Sequence, residues 1–211
     1  MKLIVAEKRS VARAIAQFLG GSYRVQKVYG IPAYYFNYSG EAVSLGLMGH
    51  IMDFDFTARE NVWTWIPPEQ LFHTTPLLVI RDEAAQYVKA LQSLARRADE
   101  VYLALDADVE GEAIAYEAAI AVRAVNRRAK LYRVRFNAVT PKDIRAAFQK
   151  PDKLNLKLVE KVFTRMQIDL TLGAVFTRAL TLSVRNSLEK GQFLSYGPCQ
   201  TPVLGIVVNR E

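Results

Sequence analysis

Four carboxylates stand at alternate positions in the stretch LALDADVEGEAIAYE, directly after an apolar run. They are Asp106, Asp108, Glu110 and Glu112. Like charges at this spacing repel one another, and neighbouring carboxylates raise one another's pKa. A divalent cation bound to their oxygen atoms would offset the repulsion, and Mg²⁺ typically takes one or two carboxylates with water and phosphate oxygens. The spacing therefore indicates an acidic metal site, although it also fits a phospho-acceptor receiver domain.

The same acids also have an ordinary structural explanation. Negative side chains in the first turn of a helix are stabilised by the helix dipole, which would account for Glu110 and Glu112. Asp106 or Asp108 could be a plain helix cap. The spacing alone leaves these alternatives open.

The elements around these acids alternate between strands and helices, which indicates an α/β fold with a mostly parallel sheet flanked by helices. The strand–helix pairs nearest the acids are predicted at 2–6 with 10–21, and at 100–106 with 111–125. Functional groups of such sheets gather beyond the carboxyl ends of the strands. Glu7 follows the first of these strands and Asp106 ends the second, so both carboxylates are expected at the same edge.

The pattern along the rest of the chain changes near Pro151. Before it, short strands are predicted within 23–50, at 76–80 and at 129–136, helices at 82–98 and 140–150, and an ordered loop at 53–76. After it, residues 155–184 have a helical pattern without strands. We therefore expect a first domain at 1–150 and a partial helical domain at 151–211. A last apolar helical run reaches Glu211 without a stop signal, which suggests a truncated chain or a cut at a domain boundary.

Composition favours a folded, basic protein of the cell interior. The chain has 211 residues, is 51% hydrophobic and carries a net charge of +7. A globular chain this basic often meets a polyanion, and nucleic acid is the first candidate, although many cytosolic proteins from hot environments are basic too. Cys199 is the only cysteine, so a disulfide within the chain is excluded and a reducing, cytoplasmic location is expected. No stretch approaches the roughly 20 apolar residues that span a bilayer, so no membrane partner is expected.

Several motifs resemble those of one family. DADVEG resembles the D-x-D-x-E-G motif of the Toprim domain, the catalytic α/β domain of topoisomerases, bacterial-type primases and some nucleases, and IVAEKRSVARAIA resembles the other signature of that domain. Four further stretches resemble segments of type IA DNA topoisomerases, the last in the form of the topoisomerase III branch: GHIMDFDF, RFNAVTPKDIRAAF, RMQIDLTLGAVFTRALT and LSYGPCQTPVLGIVVNRE. The resemblance covers nearly the whole chain in the family's order, and the archaeal-type topoisomerases III are the nearest likeness.

The resemblance implies Mg²⁺-dependent breakage, passage and religation of single-stranded DNA. It implies that Glu7 handles protons near the scissile phosphate and that Lys8 contacts that phosphate. It also implies that Asp106, Asp108 and Glu110 hold Mg²⁺, which would orient DNA and support religation. As bare chemistry, the Lys8 ammonium suits stabilisation of oxyanion charge, and its ordinary alternative is a solvated lysine at a helix start. The implied protein is nucleoid-associated in the cytoplasm, and no oligomer is expected.

Six further residues are candidate DNA contacts by the same resemblance: His50, Arg165, Asp169, Tyr196, Gln200 and Thr201. His50 follows a glycine after a predicted strand, and a lone histidine there could equally be structural. Arg165 and Asp169 stand four apart on the helix that lines the family's single-strand groove, and they could also form an ordinary ion pair. The last three could stack on or hydrogen-bond to unpaired bases.

Two features depart from the family pattern. Met166 replaces the second of two tandem arginines and Thr171 replaces an expected basic residue, which weakens the case for a groove-lining role. The motif around the family's nucleophilic tyrosine, close to S-Y-P-R-T, does not occur in the sequence. We therefore expect the chain to be inactive alone and to need the remaining topoisomerase domains as partners.

Three alternatives compete with this interpretation. The first is a self-contained Toprim nuclease or primase-like protein. The motifs RMQIDLTLGAVFTRALT and SYGPCQTP argue against it, because those proteins lack them. A non-catalytic, basic nucleic-acid-binding module would use the acids only as helix caps, so neutralising Asp106 and Asp108 would leave all metal-dependent properties unchanged. A receiver domain is the weakest alternative, because its first strand should end in consecutive acids, whereas Lys8 follows Glu7.

Overall fold

The computed structural model describes residues 1–189 and 191–210. Its strands are β1 (Lys2–Ala6), β2 (Arg24–Val28), β3 (Ile31–Asn37), β4 (Glu41–Gly46), β5 (Met52–Asp55), β6 (Leu77–Ile80), β7 (Glu100–Asp106) and β8 (Lys130–Phe136). Its helices are α1 (Arg9–Gly20), α2 (Ala85–Ala95), α3 (Val109–Arg123), α4 (Pro141–Gln149), α5 (Leu156–Ser183) and α6 (Gln200–Val208). The chain forms two compact units. The first contains Met1–Met52 and Ile80–Val162, and the second contains Asp53–Val79 and the residues from Phe163 onward.

The first unit is built on a six-stranded sheet in the order β2-β3-β4-β1-β7-β8. β4, β1, β7 and β8 run parallel to one another, and β3 and β2 continue the sheet as an antiparallel hairpin. β1 is an unbroken apolar run because both of its faces are covered, and residues 3–6 are fully buried. The prediction of an α/β fold with a mostly parallel sheet flanked by helices is confirmed.

Helices cover both faces of this sheet. On one face, Ile15 of α1 and Ile144 of α4 are buried in one apolar cluster with Ile4 of β1. Because side chains alternate along a strand, Leu3 and Val5 face the other way. On that side α2 packs against β1 and α3 packs against β7.

The second unit has a small apolar core of its own. Phe56, Leu71 and Val175 are buried together, with Leu170 half-buried against them. The segment predicted as a loop at 53–76 is more regular than its sequence pattern indicated. It contains the end of β5 and a 3₁₀ helix at Pro68–His73.

The helical pattern predicted at 155–184 forms the single 28-residue helix α5. The last apolar run forms α6, which ends at Val208 with Asn209 as its C-cap. The predicted continuation of the helix through residues 209 and 210 is therefore wrong, and Glu211 lies outside the described residues. The domain boundary near residue 151 stays a prediction. None of the helices in the described part of the chain is long and apolar enough to span a membrane.

Candidate active site

Three neighbouring parallel strands end together at one edge of the six-stranded sheet. The register pairs Ala6 of β1 with Gly46 of β4 on one side and with Ala104 of β7 on the other. Beyond the strand ends, the Leu47 amide donates to the Ala6 carbonyl oxygen at 2.9 Å. The Gly49 amide likewise donates to the Glu7 carbonyl oxygen at 3.2 Å. The segments that follow β4, β1 and β7 therefore meet at one edge, as the sequence predicted for Glu7 and Asp106.

Two glycines allow the backbone to come this close. A Cβ atom added at Gly46 would lie 2.5 Å from the backbone of Arg9, where α1 begins. A Cβ atom added at Gly111 would lie 2.3 Å from the Asp106 carbonyl oxygen. Real Cβ atoms do not approach other atoms so closely, so only glycine lets α1 and α3 begin directly against the strand ends.

Asp106 and Asp108 stand in the tight turn between β7 and α3. Asp108 is the N-cap of α3, and its Oδ1 atom accepts a hydrogen bond from the Gly111 amide at 2.6 Å. The cap proposed as an ordinary alternative is therefore present at Asp108, and it occupies one carboxylate oxygen. The Asp106 side chain is half-buried at the strand end, and no hydrogen bond or ion pair joins it to another described residue.

Glu110 is linked to His50. The His50 Nε2 atom lies 3.0 Å from a carboxylate oxygen of Glu110, and its Nδ1 atom lies 2.6 Å from a carboxylate oxygen of Glu117. Glu117 is fully buried and also accepts hydrogen bonds from the Ile51 and Met52 amides at 2.8 and 3.0 Å. Glu117 thus ties α3 to the segment after β4.

These carboxylates keep His50 charged. The hydrogen bond that His50 donates to Glu117 has the largest effect, and it acts with the charges of Glu117 and Glu110 and the hydrogen bond to Glu110. Burial opposes them, but together they raise the pKa of His50 from 6.5 to about 9. At neutral pH, His50 is therefore an imidazolium that donates to both carboxylates.

Glu112 has a structural role of a kind that its sequence position did not indicate. It is fully buried, and its Oε1 atom accepts hydrogen bonds from Arg133 Nε at 2.8 Å and from Arg135 Nε at 2.7 Å. Its Oε2 atom accepts from the Asn155 amide at 3.0 Å. Burial raises the pKa of Glu112, but these hydrogen bonds and the arginine charges outweigh burial, so the pKa lies below its ordinary value. Glu112 is therefore the buried ion-pair partner of Arg133 and Arg135. The sequence suggested only a plain acid in the first turn of the helix.

The Arg133 guanidinium holds the end of β7 from inside the unit. It is fully buried and donates to the carbonyl oxygens of Leu103, Leu105 and Asp106 at 3.1, 2.8 and 2.6 Å. Together with the Glu112 ion pair, these bonds connect the last residues of β7 to the first turn of α3. The backbone that carries Asp106 and Asp108 is fixed by this arrangement.

Glu7 and Lys8 supply the other half of the site. The Lys8 ammonium lies 3.2 Å from a carboxylate oxygen of Glu7. The Lys8 side chain is 66% exposed and the Glu7 side chain is 16% exposed. A cation open to solvent therefore stands beside a largely covered carboxylate, which is a suitable arrangement for an incoming phosphate group.

The remaining predicted site residues belong to the second unit. Arg165 and Asp169 lie one turn apart on α5. The Tyr196 ring packs on Phe176 with 4.8 Å between ring centroids, and the Tyr196 amide donates to Thr177 Oγ1 at 2.9 Å.

Gln200 and Thr201 form the exposed start of α6. The Thr201 Oγ1 atom accepts a hydrogen bond from the Gly197 amide at 3.4 Å. The DNA contacts predicted for these two residues, and for Arg165, Asp169 and Tyr196, stay predictions.

We refer to the turn between β7 and α3, which contains Asp106 and Asp108, as the acid-bearing turn. Its oxygen donors suit a hard divalent cation. Among the described residues, no group of three or more His, Cys, Asp or Glu side chains is placed to hold a metal by itself. Mg²⁺ does not require such a cage, because it usually binds one or two carboxylates and completes its shell with water and phosphate oxygens. The Asp106 carboxylate and the second oxygen of Asp108 fit that mode of binding.

Comparison with known families agrees with this geometry. A family model for the Toprim domain matches residues 2–139, and a second model, for DNA topoisomerase, matches residues 153–211. Because the first match covers more than half of the 211 residues, the chain belongs to the Toprim domain family. A Toprim domain followed by a DNA topoisomerase segment is the arrangement of the type IA DNA topoisomerases, so the predicted resemblance is confirmed.

The chain is similar over almost its whole length to curated DNA topoisomerases. It is 39% identical over 209 residues to DNA topoisomerase 1 of Archaeoglobus fulgidus, covering 99% of this chain and 31% of the relative. It is 32% identical over 223 residues to DNA topoisomerase 3-alpha of Arabidopsis thaliana, covering 99% of this chain and 24% of the relative. The chain thus spans about a third or less of the length of these relatives.

A solved structure shows the same fold. Full-length topoisomerase I from Thermotoga maritima superposes with a TM-score of 0.58 at 23% sequence identity, covering 85% of this chain and 26% of that chain.

Proposed function

We propose that this chain supplies the Toprim part and the start of the DNA-groove part of a type IA DNA topoisomerase of the topoisomerase III branch. The activity is Mg²⁺-dependent breakage, passage and religation of single-stranded DNA, in the cytoplasm at the nucleoid. The observation that carries the proposal is the meeting of the Glu7–Lys8 pair with the acid-bearing turn at one edge of the parallel sheet.

The chain's own residues have distinct parts in this chemistry. The exposed Lys8 ammonium binds a non-bridging oxygen of the scissile phosphate and stabilises its developing negative charge. Glu7, next to Lys8, accepts or returns the proton at that phosphate. The nucleophilic tyrosine belongs to the remaining topoisomerase domains, which are the expected partners of this chain.

Asp106 and Asp108 would hold Mg²⁺, and Glu110 is the third ligand that the resemblance to the family implies. When bound, the ion supplies positive charge that orients the DNA phosphates and supports religation. His50 holds the Glu110 carboxylate through its imidazolium, and the buried Glu117 fixes His50 in turn. This chain of contacts supports an orienting role for His50, and direct contact between His50 and DNA remains part of the proposal.

Arg165, Asp169, Tyr196, Gln200 and Thr201 are proposed to contact the single strand. Tyr196 offers a half-buried aromatic ring and Gln200 an exposed amide, both of which suit unpaired bases. The alternative of a self-contained Toprim nuclease or primase is not favoured, because residues 153–211 match the DNA topoisomerase family.

The test is fluorescence anisotropy of a labelled single-stranded oligonucleotide and of a duplex of the same length, with and without Mg²⁺. We expect single-strand preference that changes with Mg²⁺, and loss of that change in Asp106→Asn/Asp108→Asn. The control Glu41→Gln/Glu160→Gln alters the net charge equally at two exposed acids and should keep the Mg²⁺ response.

The proposal also predicts that this chain alone does not relax a supercoiled plasmid. Relaxation by the pure chain would contradict the assignment of the nucleophile to other domains. A Mg²⁺ response that survives Asp106→Asn/Asp108→Asn would contradict the assignment of the metal site.

A further inference from the structure

A groove on the exposed side of α1 is not part of the site described above. It consists of two adjoining cavities of about 350 and 470 Å³ that share Ser10, Arg13 and Tyr23 in their walls. Arg9 and Tyr34 complete the first cavity. We refer to the two cavities together as the α1 groove.

The α1 groove is positively charged. Its walls contain Arg9 and Arg13 and no aspartate or glutamate. The two arginines stand four residues apart, which places them on one face of α1 and about 6 Å apart along the helix axis. Val25 of β2 also borders the groove, and strand alternation places the exposed Lys27 on the same face as Val25.

Acids are absent from the elements that form this surface. α1, β2 and β3 contain no aspartate or glutamate, so their basic side chains are not neutralised within these elements. At the far end of the groove, Arg145 of α4 donates from Nε to the Phe18 carbonyl oxygen at 3.0 Å. A third arginine is therefore hydrogen-bonded to a residue of the groove wall.

Two aromatic residues give the groove a fixed wall. Arg9 Nε donates to the hydroxyl oxygen of the buried Tyr34 at 3.3 Å, which holds the Arg9 guanidinium in place. The half-buried Tyr23 ring meets Tyr34 edge-on, with 5.4 Å between centroids. Arg13 makes no hydrogen bond or ion pair with another described residue, so its guanidinium is available to a ligand.

The combination of arginines and an aromatic wall selects the ligand. Guanidinium groups bind phosphate oxygens through paired hydrogen bonds. An aromatic ring beside them adds a surface for an unpaired base, which inorganic phosphate would not use. We propose that the α1 groove binds a segment of single-stranded nucleic acid, with phosphates on Arg9 and Arg13 and a base against Tyr23.

The position of the groove extends the path of the strand in the proposed function, and the inference rests on that function in this respect. α1 begins at Arg9, the residue after Lys8. Because Arg9 is also a wall residue of the groove, we extend the path of a strand whose phosphate lies on Lys8 into the α1 groove. The groove contributes affinity without Mg²⁺, whereas the acid-bearing turn contributes the Mg²⁺ response.

The test is anisotropy of a labelled single-stranded oligonucleotide with the whole chain in EDTA, at several salt concentrations. The variant is Arg9→Ala/Arg13→Ala, and the matched control is Arg127→Ala/Arg128→Ala, which removes the same charge from two exposed arginines after α3. Arg13→Ala alone keeps the hydrogen bond between Arg9 and Tyr34. It is the second variant in case the double variant folds poorly. Circular dichroism and thermal unfolding check the fold of each protein.

We expect the groove variant to raise the dissociation constant at least about fivefold more than the control does. The slope of log affinity against log salt should fall by about 1.4, as for two phosphate contacts with a single strand. Equal losses in variant and control, or no detectable binding by the parent chain at low salt, would overturn the proposal. So would equally tight, arginine-dependent binding of polyglutamate, which would make the groove a site for acidic protein.

The two proposals fail separately in these measurements. A groove effect that is absent while the Mg²⁺ response of the parent chain persists contradicts only the groove. A groove effect that persists while Asp106→Asn/Asp108→Asn leaves the Mg²⁺ response intact contradicts only the metal assignment.

Discussion

Arg133 supports the acid-bearing turn from beneath. Its guanidinium lies inside the first unit, bound to Glu112 and to carbonyl oxygens at the end of β7. A buried ion pair contributes little over a well-packed apolar pair, but removing one partner leaves the other charge uncompensated. The pair is therefore better understood as fixing the position of the turn than as a source of stability.

This arrangement predicts different effects for the two arginines that share Glu112. Arg133→Met removes donors from four backbone carbonyl groups as well as from Glu112, and should lower the free energy of unfolding by about 3 kcal/mol or more. Arg135→Met makes the same chemical change at a side chain that is partly exposed, and should cost about 1 kcal/mol. Urea unfolding of both variants measures the difference, and equal losses would contradict the role given to Arg133.

At the level of single residues, the sequence indicated the acids but not their partners. The spacing of Asp106, Asp108 and Glu110 was visible because it is local. The contacts of Glu112 with Arg133 and of His50 with Glu117 join residues 21 and 67 positions apart, and no periodic pattern encodes them. The one available signal for Glu117 was a carboxylate within an otherwise apolar stretch of helix.

The junction between β7 and α3 is the element that the candidate site depends on most. Helix α3 begins so close to the strand that only Gly111 fits against the Asp106 carbonyl oxygen. The sequence predicted both elements and their shared edge, since alternating strands and helices fix the direction of the strands. It did not predict how closely the helix start approaches the strand, because that distance depends on the three-dimensional packing.

Gly111→Ala should therefore disturb the site through the backbone. The added Cβ atom would lie 2.3 Å from the Asp106 carbonyl oxygen, so α3 must shift, and we expect a loss of about 2 kcal/mol in the free energy of unfolding. Gly205→Ala in α6 is the control, because nothing lies within 4 Å of its added Cβ atom, and alanine there should be neutral or stabilising by up to about 1 kcal/mol. Thermal or urea unfolding distinguishes the two, and similar results for both variants would show that the junction tolerates a side chain.

The chain folds into two units that are discontinuous in sequence. Phe56 and Leu71 share a core with Val175, more than 100 residues further along the chain. A boundary drawn from local pattern, such as the one near residue 151, does not register such contacts. The fold class and the family were nevertheless predictable, because strand–helix alternation and motif order are properties of the sequence itself.

We propose that the edge where β1 and β7 end holds a divalent cation. The most direct measurement is cleavage of the chain by Fe²⁺ in place of Mg²⁺, with ascorbate and peroxide, in the presence of a single-stranded oligonucleotide. We expect backbone cuts near residues 7–8 and 106–111 that excess Mg²⁺ suppresses and Asp106→Asn/Asp108→Asn abolishes, while Glu41→Gln/Glu160→Gln leaves them unchanged. Cuts elsewhere, or cuts at these residues that persist in Asp106→Asn/Asp108→Asn, would contradict the claim.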